Sequence, residues 1–306
     1  MRPAAALSAV SLLLLVGCGG SGGSAKTADS VVGGGKTLVE LWRAPGDDVA
    51  IVPGTDHYVP GDVRVSFLVV DASGREVVLP SAHVWLARGK DRRPFLESSA
   101  KLERIGVPGE AVADSTHIYV AHLRISKPGL YWLLAEPEGG KEKVQAIGNV
   151  DVAADDAVPA AGNRPPASDT PTLATAGGNA SRVTTRVPPD TSLLRYSVAA
   201  SLRAHVPFVV TFATPKFCES RTCGPVVDVV EETARQLEGS GVRFIHVEVY
   251  EKNDPANGYN RWMRAWHLDT EPWTFVVNRR GRIADRFQGV VSVNELVEAV
   301  RGVAGR

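Results

Sequence analysis

The sequence has no excess charge of either sign, because 34 Lys and Arg residues balance 34 Asp and Glu residues. Nucleic-acid binding draws much of its free energy from counterions that a basic surface releases, so this balance argues against a nucleic-acid partner. Methionine is nearly missing, with only Met1 and Met263, which excludes a copper site built from several thioether ligands. Cysteine is almost as scarce, at three residues. The positions of those three cysteines carry most of the functional prediction.

No apolar run is long enough to cross a bilayer as a helix, which takes about 20 residues. Residues 4–16 are largely apolar, follow Arg2 and end in small residues before Cys18, a pattern typical of a secretory signal. The sequence Leu-Val-Gly-Cys that ends at Cys18 resembles the bacterial lipobox, whose cysteine is lipidated and becomes the mature N-terminus. We therefore predict a signal peptide over residues 1–17 and a lipid on Cys18.

Residues 18–36 are rich in Gly, Ser and Ala, which predicts a flexible tether. Together with the lipid, this tether would hold the protein at the extracytoplasmic face of the cell membrane, where disulfides persist. The alternative is an ordinary signal peptide with an incidental cysteine.

Hydrophobic residues alternate with polar ones over residues 37–152. Val63, Val65, Phe67 and Val69 share one strand face, and Pro-Gly turns separate the segments that follow. Further strands are predicted at residues 76–79, 83–87, 117–125, 129–135 and 144–152. With no convincing amphipathic helix among them, these strands predict an all-β immunoglobulin-like sandwich that has no inter-sheet disulfide.

Residues 153–190 hold six of the twenty prolines and no aromatic residue. Such a composition predicts a linker with too little apolar surface to order itself. Leu173 and residues 183–187 are nevertheless apolar enough to lie along a domain surface.

The remaining residues, 191–306, predict an α/β domain with a mixed sheet. Helices are predicted at residues 193–204, 225–237, 259–267 and 292–303, and strands at 207–213, 242–250, 273–278 and 283–288. Ser292 and Glu295 have the spacing of a capping box at the start of the last helix.

Cys218 and Cys223 lie between a predicted strand and the helix that follows it. Within one regular helix their Cα atoms would be about 8.6 Å apart, beyond the roughly 6.8 Å that a disulfide tolerates. They can pair only if the helix begins at or after Cys223, which Pro225 favours, with Gly224 as the cap. The helix N-terminus would stabilise a thiolate there, with Lys216 and Arg221 adding to the effect and Glu219 opposing it.

Two short stretches resemble the active-site corner of the thioredoxin superfamily. Residues 211–214 ahead of Cys218, and Cys223-Gly224-Pro225 leading into a helix, form one; residues 271–277 resemble the family's cis-proline and next strand. The resemblance covers about residues 191–306 and is best to the membrane-anchored extracytoplasmic branches that assist cytochrome or copper-protein assembly.

The resemblance implies thiol–disulfide exchange with exported protein thiols or disulfides, without a cofactor. Cys218 would attack, Cys223 would resolve the mixed disulfide, and Pro272 would hold the substrate backbone. Four residues separate the cysteines, however, where the family usually has two and its copper-delivering relatives three. Glu271 also replaces a small or β-branched residue; its carboxylate would raise a thiol pKa or serve as a proton acceptor.

Two alternatives remain for the cysteine pair. One is a static disulfide in a binding module whose working part is the β-sandwich. The other is a Cu(I) site in which His267 or His246 joins Cys218 and Cys223, since thiolates suit Cu(I). A zinc site would need four ligands, and the sequence has no second cysteine pair to supply them.

Several other side chains favour ordinary structural roles. Trp262 and Trp266, four residues apart on one helix face, are interpreted as core packing rather than as a peptide groove with Trp273. His117 and His122 point to opposite faces of one strand and cannot form a metal pair. Residues 47–48 and 155–156, each an Asp-Asp pair, are interpreted as solvated loop charges.

Overall fold

Two sheets and their flanking helices make up the part of the chain that a computed structural model describes, namely residues 32–42, 49–107, 115–217 and 225–304. In chain order the elements are α1 Leu38–Leu41, β1 Ala50–Pro53, β2 Gly61–Val70, β3 Ser81–Ala87, β4 Leu96–Arg104, β5 His117–Ile125, β6 Gly129–Glu138, β7 Ala146–Val152, α2 Val198–Arg203, β8 Phe208–Phe212, α3 Val226–Gln236, β9 Arg243–Val247, α4 Arg261–Ala265, β10 Trp273–Val277, β11 Ile283–Gln288 and α5 Val293–Val303. None of the helices in these ranges is long and apolar enough to cross a membrane.

The N-terminal strands form one antiparallel sheet in the order β1-β2-β5-β4-β3-β6-β7. The sheet curls until β1 approaches β7 and Tyr58 bridges to Val152. Alternate residues of β2 to β7 then face a single apolar core, which includes Val63, Val65 and Phe67 as predicted. The immunoglobulin-like sandwich is not confirmed, because the strands belong to one hydrogen-bonded sheet. Hydrophobic alternation shows which side chains face inward but not how many sheets share them.

Predicted strand bounds in this sheet agree with the structure where hydrophobic alternation is strong and fail where it is weak. The predicted strand 117–125 is β5, whereas the predicted strand 76–79 is reduced to a bridge between Val70 and Glu76. Strand β4 was not predicted, because its sequence LESSAKLER carries few β-branched or aromatic residues. It is held between β3 and β5 by hydrogen bonds on both sides.

The C-terminal strands form a second sheet in the order β11-β10-β8-β9. Strands β8 and β9 run parallel and the other pairs antiparallel, which confirms the predicted mixed sheet. Both faces of β8 are covered: Phe208 and Phe212 pack with α2 and α4 on one side, and Val209 packs with α3 and α5 on the other. The capping box is confirmed, since Ser292 and Glu295 exchange hydrogen bonds at the start of α5.

Residues 153–190, for which the composition predicts a linker, pack against the C-terminal sheet and its helices. Gly162 and Asn163 exchange backbone hydrogen bonds with Ile283 in the edge strand β11, at 2.8 and 2.9 Å. Val158 is buried in the same core as Trp266, and Ser168 accepts a hydrogen bond from the Trp266 indole. The composition argument failed here because backbone pairing and a few buried side chains suffice to order this segment.

The two sheets also pack directly on each other within one compact unit, Val32–Arg306. Leu68 and Ile118, on the outer face of the N-terminal sheet, contact Val226 and Val290 of the C-terminal part. Val226 is the first residue of α3. The N-terminal sheet therefore packs against the start of α3, the helix that follows Cys223 in sequence.

Candidate functional site

The strand register brings the Glu271–Pro272 loop beside the chain that leads to the cysteines. Trp273, the first residue of β10, pairs with Phe212, the last residue of β8. Pro272 and Ala213 consequently lie at the same end of the sheet. The backbone N–H of Thr214 is close enough to the Glu271 carboxyl group to lower its pKa, so the two segments are neighbours.

The predicted cysteines themselves fall outside the described residues, as does Cys18. The chain is described up to Phe217 and again from Pro225, on either side of Cys218 and Cys223. Helix α3 begins at Val226 with Pro225 at the N-cap position, where the sequence predicted Gly224 as the cap. A helix start after Cys223 agrees with the geometric condition for pairing the two cysteines.

The Glu271–Pro272 peptide bond is cis, as the resemblance implied. Pro272 is buried, and its carbonyl accepts a hydrogen bond from the Gly289 N–H at 2.9 Å. Gly289 has a φ of +75°, and a Cβ atom there would overlap the Gly54 carbonyl oxygen. Only glycine allows the two backbones to approach this closely. Gly54, which directly follows β1 of the N-terminal sheet, thus lies against Gly289, and Gly289 is hydrogen-bonded to Pro272.

Glu271 has an electrostatic environment suited to proton transfer. Burial, with a smaller contribution from the charge of Glu248, raises the pKa of Glu271 from 4.5 to about 7, against the hydrogen bond from Thr214. Its Oε2 atom is buried and has no hydrogen-bond partner among the described residues. Such a carboxyl group can take up or release a proton near neutral pH.

This pKa predicts a pH-dependent loss of stability. Glu271 keeps its proton to higher pH in the folded chain than in the unfolded chain, so its favourable contribution is complete below pH 4.5 and is lost as pH rises through about 7. The loss is about 3 kcal/mol at 1.36 kcal/mol per pKa unit. We expect Glu271→Gln to lack it, so the variant gains on the native chain between pH 5 and pH 8 in urea unfolding.

The matched control for that experiment is Glu142→Gln, which removes a glutamate from an exposed turn. It corrects for the change in net charge alone. If Glu271→Gln and the native chain differ by the same free energy of unfolding at pH 5 and pH 8, Glu271 does not change its protonation on folding.

The two candidate histidines are in different environments. His246 is buried in β9, and its Nε2 lies 3.0 Å from the Ala213 carbonyl oxygen. His267 is exposed just after α4, with a φ of +55°. No group of three His, Cys, Asp or Glu residues with metal-binding geometry occurs among the described residues. These positions give the Cu(I) alternative no support from the described part of the chain.

The tryptophans and the strand histidines behave largely as the structural interpretation predicted. Trp266 and Trp273 are almost fully buried, which confirms core packing for both. Trp262 is half-buried, and its indole N–H donates to the Asp169 carbonyl at 3.2 Å. In β5, His117 is half-buried and His122 exposed.

Asp156, predicted to be a solvated loop charge, instead forms ionic contacts with two side chains from other parts of the chain, His57 and Arg286. Its carboxylate lies 3.1 Å from His57 Nε2 and 2.5 Å from an Arg286 guanidinium nitrogen. Burial raises the pKa of Asp156, but the hydrogen bond and charge of Arg286 outweigh burial and hold that pKa below its ordinary value. The pattern of hydrophobic residues along the sequence does not predict this ionic contact.

An open cleft of about 520 Å³ lies against the Glu271–Pro272 loop. Its lining comprises Pro53, Gly54, Thr55, Asp56, Phe217, Tyr250, Tyr259, Asp269, Thr270, Glu271, Pro272, Gln288 and Gly289. Phe217, the residue that precedes Cys218, is part of it. Residues 53–56 come from the N-terminal sheet and were not predicted as site residues, because nothing in a short loop sequence indicates contact with residues more than 200 positions away.

An extensive polar contact holds this N-terminal loop in place. The Asp56 N–H donates to the Gln288 side chain at 2.9 Å. Arg64 in β2 binds Glu295 in α5 through two hydrogen bonds, at 2.7 and 3.0 Å, and also donates to the Val290 carbonyl. Both side chains are less than one-sixth exposed. The cleft is therefore built from both sheets.

No protein-family model and no curated protein matches the chain. Among solved structures, a thioredoxin-family thiol:disulfide interchange protein from Chlorobium tepidum is 20% identical over 35% of this chain and 85% of its own, with a TM-score of 0.28. A thiol:disulfide interchange protein DsbE from Chlorobium tepidum is 12% identical over 34% and 84%, with a TM-score of 0.29. The PKD domain of human VPS10 domain-containing receptor SorCS2 is 14% identical over 46% and 94%, with a TM-score of 0.21. All three similarities are weak, so the chain's own residues have to carry any functional proposal.

Proposed function

We propose that this chain is a thiol–disulfide exchange protein that acts on exported proteins through Cys218 and Cys223. The observation that carries the proposal is that the chain leading to Cys218 lies beside the Glu271–Pro272 loop: Trp273 pairs with Phe212, and Phe217 lines the same cleft as Pro272. A substrate segment bound in that cleft would lie beside Phe217, the residue that precedes the proposed nucleophile Cys218.

The chemistry of the proposed cycle balances within the two partners. The Cys218 thiolate attacks a substrate disulfide, so that a Cys218–substrate bond forms and one substrate thiolate leaves. The Cys223 thiolate then attacks Cys218 sulfur, forming the internal disulfide and releasing the second substrate thiolate. The chain is oxidised, the substrate is reduced, and the leaving thiolates take up protons. The reverse sequence oxidises a substrate dithiol.

Glu271 is proposed to exchange protons with these sulfur atoms. A carboxyl group with a pKa of about 7 accepts a proton from a thiol and returns it to a leaving thiolate without a large free-energy cost. Pro272 is proposed to position the substrate backbone at the cleft. A lipid on Cys18 and an extracytoplasmic location complete the proposal and follow from the sequence pattern alone.

A redox titration of the cysteine pair tests this proposal. We expect the Cys218–Cys223 couple of the full chain to have a reduction potential above about −300 mV, the range of usable rather than structural disulfides. Thiol labelling across a series of dithiol buffers measures it, with Cys223→Ser as the control that cannot form the couple. A value well below −300 mV would instead support a structural disulfide in a binding module.

A further inference from the structure

The cleft beside Pro272 has a one-sided distribution of charge. Asp56, Asp269 and Glu271 contribute carboxyl groups to its lining, whereas no Lys, Arg or His occurs among its described lining residues. Asp56 and Asp269 are exposed and form no ion pair with any residue that the structure describes. Lys216 lies over the Phe217 ring at 5.1 Å and Arg264 donates to the Tyr259 carbonyl, but neither cation pairs with Asp56 or Asp269, so both carboxylates remain open to a cationic ligand.

The backbone around the two aspartates is held by hydrogen bonds. The Asp56 N–H donates to the Gln288 side chain at 2.9 Å, and the Asp269 carbonyl accepts from the Tyr259 hydroxyl at 3.2 Å. The first aspartate belongs to the N-terminal sheet and the second to the loop before Pro272. A ligand in the cleft would thus meet exposed carboxylates from both parts of the chain, each carried by a backbone segment that these hydrogen bonds hold.

Aromatic rings line the same cleft as these carboxylates. Tyr250 and Tyr259 stack with ring centroids 5.6 Å apart, and Phe217 contacts Tyr250 edge-on at 6.2 Å. Burial raises the pKa of Tyr259, and its neighbours Tyr250, Glu271, Asp269 and Asp56 raise that pKa further, because each would repel a tyrosinate at this position. Aromatic faces next to carboxylates are the surroundings that bind a lysine ammonium or an arginine guanidinium.

We infer that the cleft selects substrate segments that carry a lysine or arginine next to the reactive cysteine. The inference rests on the proposed function, since the cysteine pair supplies the reaction and the cleft only the selection. Asp56 gives the N-terminal sheet a direct part in substrate choice, a role that a tethered spacer would not have.

Three peptide substrates test the selection. Each is a symmetrical disulfide dimer of one short peptide, with Lys, Ser or Glu on both sides of its single cysteine. The reduced full chain converts each dimer to two thiols while its own cysteine pair becomes a disulfide. Every rate is divided by the rate of dithiothreitol with the same dimer, which removes the effect of the flanking charges on intrinsic disulfide reactivity.

We expect the normalised rate to fall in the order Lys, Ser, Glu, and the Lys dimer to react about tenfold faster than the Glu dimer at about 0.01 M salt, from two exposed ion pairs of roughly threefold each. At about 1 M salt the ratio should approach one, because the charges are then screened. The double variant Asp56→Asn with Asp269→Asn should lose most of the preference even at low salt.

Asp91→Asn is the matched control, because Asp91 is exposed on the same sheet but does not line the cleft. Equal normalised rates for the three dimers, or an equal loss of preference in Asp91→Asn and the double variant, would overturn the inference while leaving the exchange activity intact. No reaction with any dimer, the Ser dimer included, would instead overturn the proposed function.

Discussion

Replacing Cys218 with serine is expected to reduce disulfide exchange to the uncatalysed rate. A serine hydroxyl cannot form the mixed disulfide, and it stays protonated at every pH at which the protein is folded, whereas a thiolate next to a helix start is a competent nucleophile. The rate at which the reduced full chain reduces a Ser-flanked peptide disulfide measures the effect. Undiminished turnover would exclude Cys218 as the nucleophile.

Two further substitutions close to Cys218 in sequence separate the roles of the two cysteines. Cys223→Ser should still attack the substrate but fail to resolve the product, so a mixed disulfide accumulates and is visible as an added mass under non-reducing conditions. Ser220→Ala changes a side chain between the two cysteines without removing a sulfur atom, so this variant should retain turnover. If Cys218→Ser and Cys223→Ser both turn over normally, neither sulfur atom is needed for the exchange. The cysteine pair then has a structural role instead.

The roles predicted for Cys218 and Cys223 depend on the C-terminal part of the site, which the sequence identified well. The continuous apolar runs of β8 and β10, the proline after Glu271 and the capping box at Ser292 each have a local signal in the sequence. The resemblance to the thioredoxin superfamily, added to these signals, implied that Glu271 and Pro272 lie next to the chain leading to Cys218. The register between Phe212 and Trp273 confirms that placement.

The N-terminal half of the cleft had no such signal. Gly54 and Asp56 belong to a short loop whose composition suits any turn, and their role follows from contacts with Gln288 and Gly289. The number of sheets was equally hidden, because the same inward-facing residues fit one curled sheet or two flat ones. Contacts between residues far apart in sequence decide both questions, and periodicity carries no information about them.

Segment 153–190 illustrates the same limit from the opposite direction. Its proline content and lack of aromatic residues predicted a linker, yet Gly162 and Asn163 pair with an edge strand and Val158 is buried. Edge strands offer unpaired backbone groups to any neighbouring chain, whatever its side chains are. Composition measures the side chains and so underestimates the order that backbone pairing can give.

Removing the Arg64 side chain is expected to cause a large loss of stability. Arg64→Ala would leave Glu295 largely buried without its cation, at a cost of about 3 kcal/mol. Burial raises the pKa of Glu295 and the charge and hydrogen bonds of Arg64 lower it below its ordinary value, so the native pair should also weaken as pH falls and Glu295 takes up a proton. Urea unfolding at neutral pH measures the loss.

Arg64→Lys and Arg124→Ala are the controls for this prediction. Lysine keeps the charge but cannot donate two parallel hydrogen bonds, so its cost should lie between those of the native chain and Arg64→Ala. Arg124 pairs with Asp62 where both side chains are more than 70% exposed, and its removal should change stability little. Equal effects of Arg64→Ala and Arg124→Ala would show that the contact between the two sheets does not depend on the Arg64–Glu295 pair.

The Arg64 variant also connects stability with substrate choice. Arg64 donates to the Val290 carbonyl beside the point where Gly54 meets Gly289, so it helps to hold residues 53–56 at the cleft. Under conditions in which Arg64→Ala is still folded, its preference for Lys over Glu dimers should fall toward that of the double variant Asp56→Asn with Asp269→Asn, while its reaction with the Ser dimer persists. A full preference in folded Arg64→Ala would mean that Asp56 keeps its position without the ionic contact between the sheets.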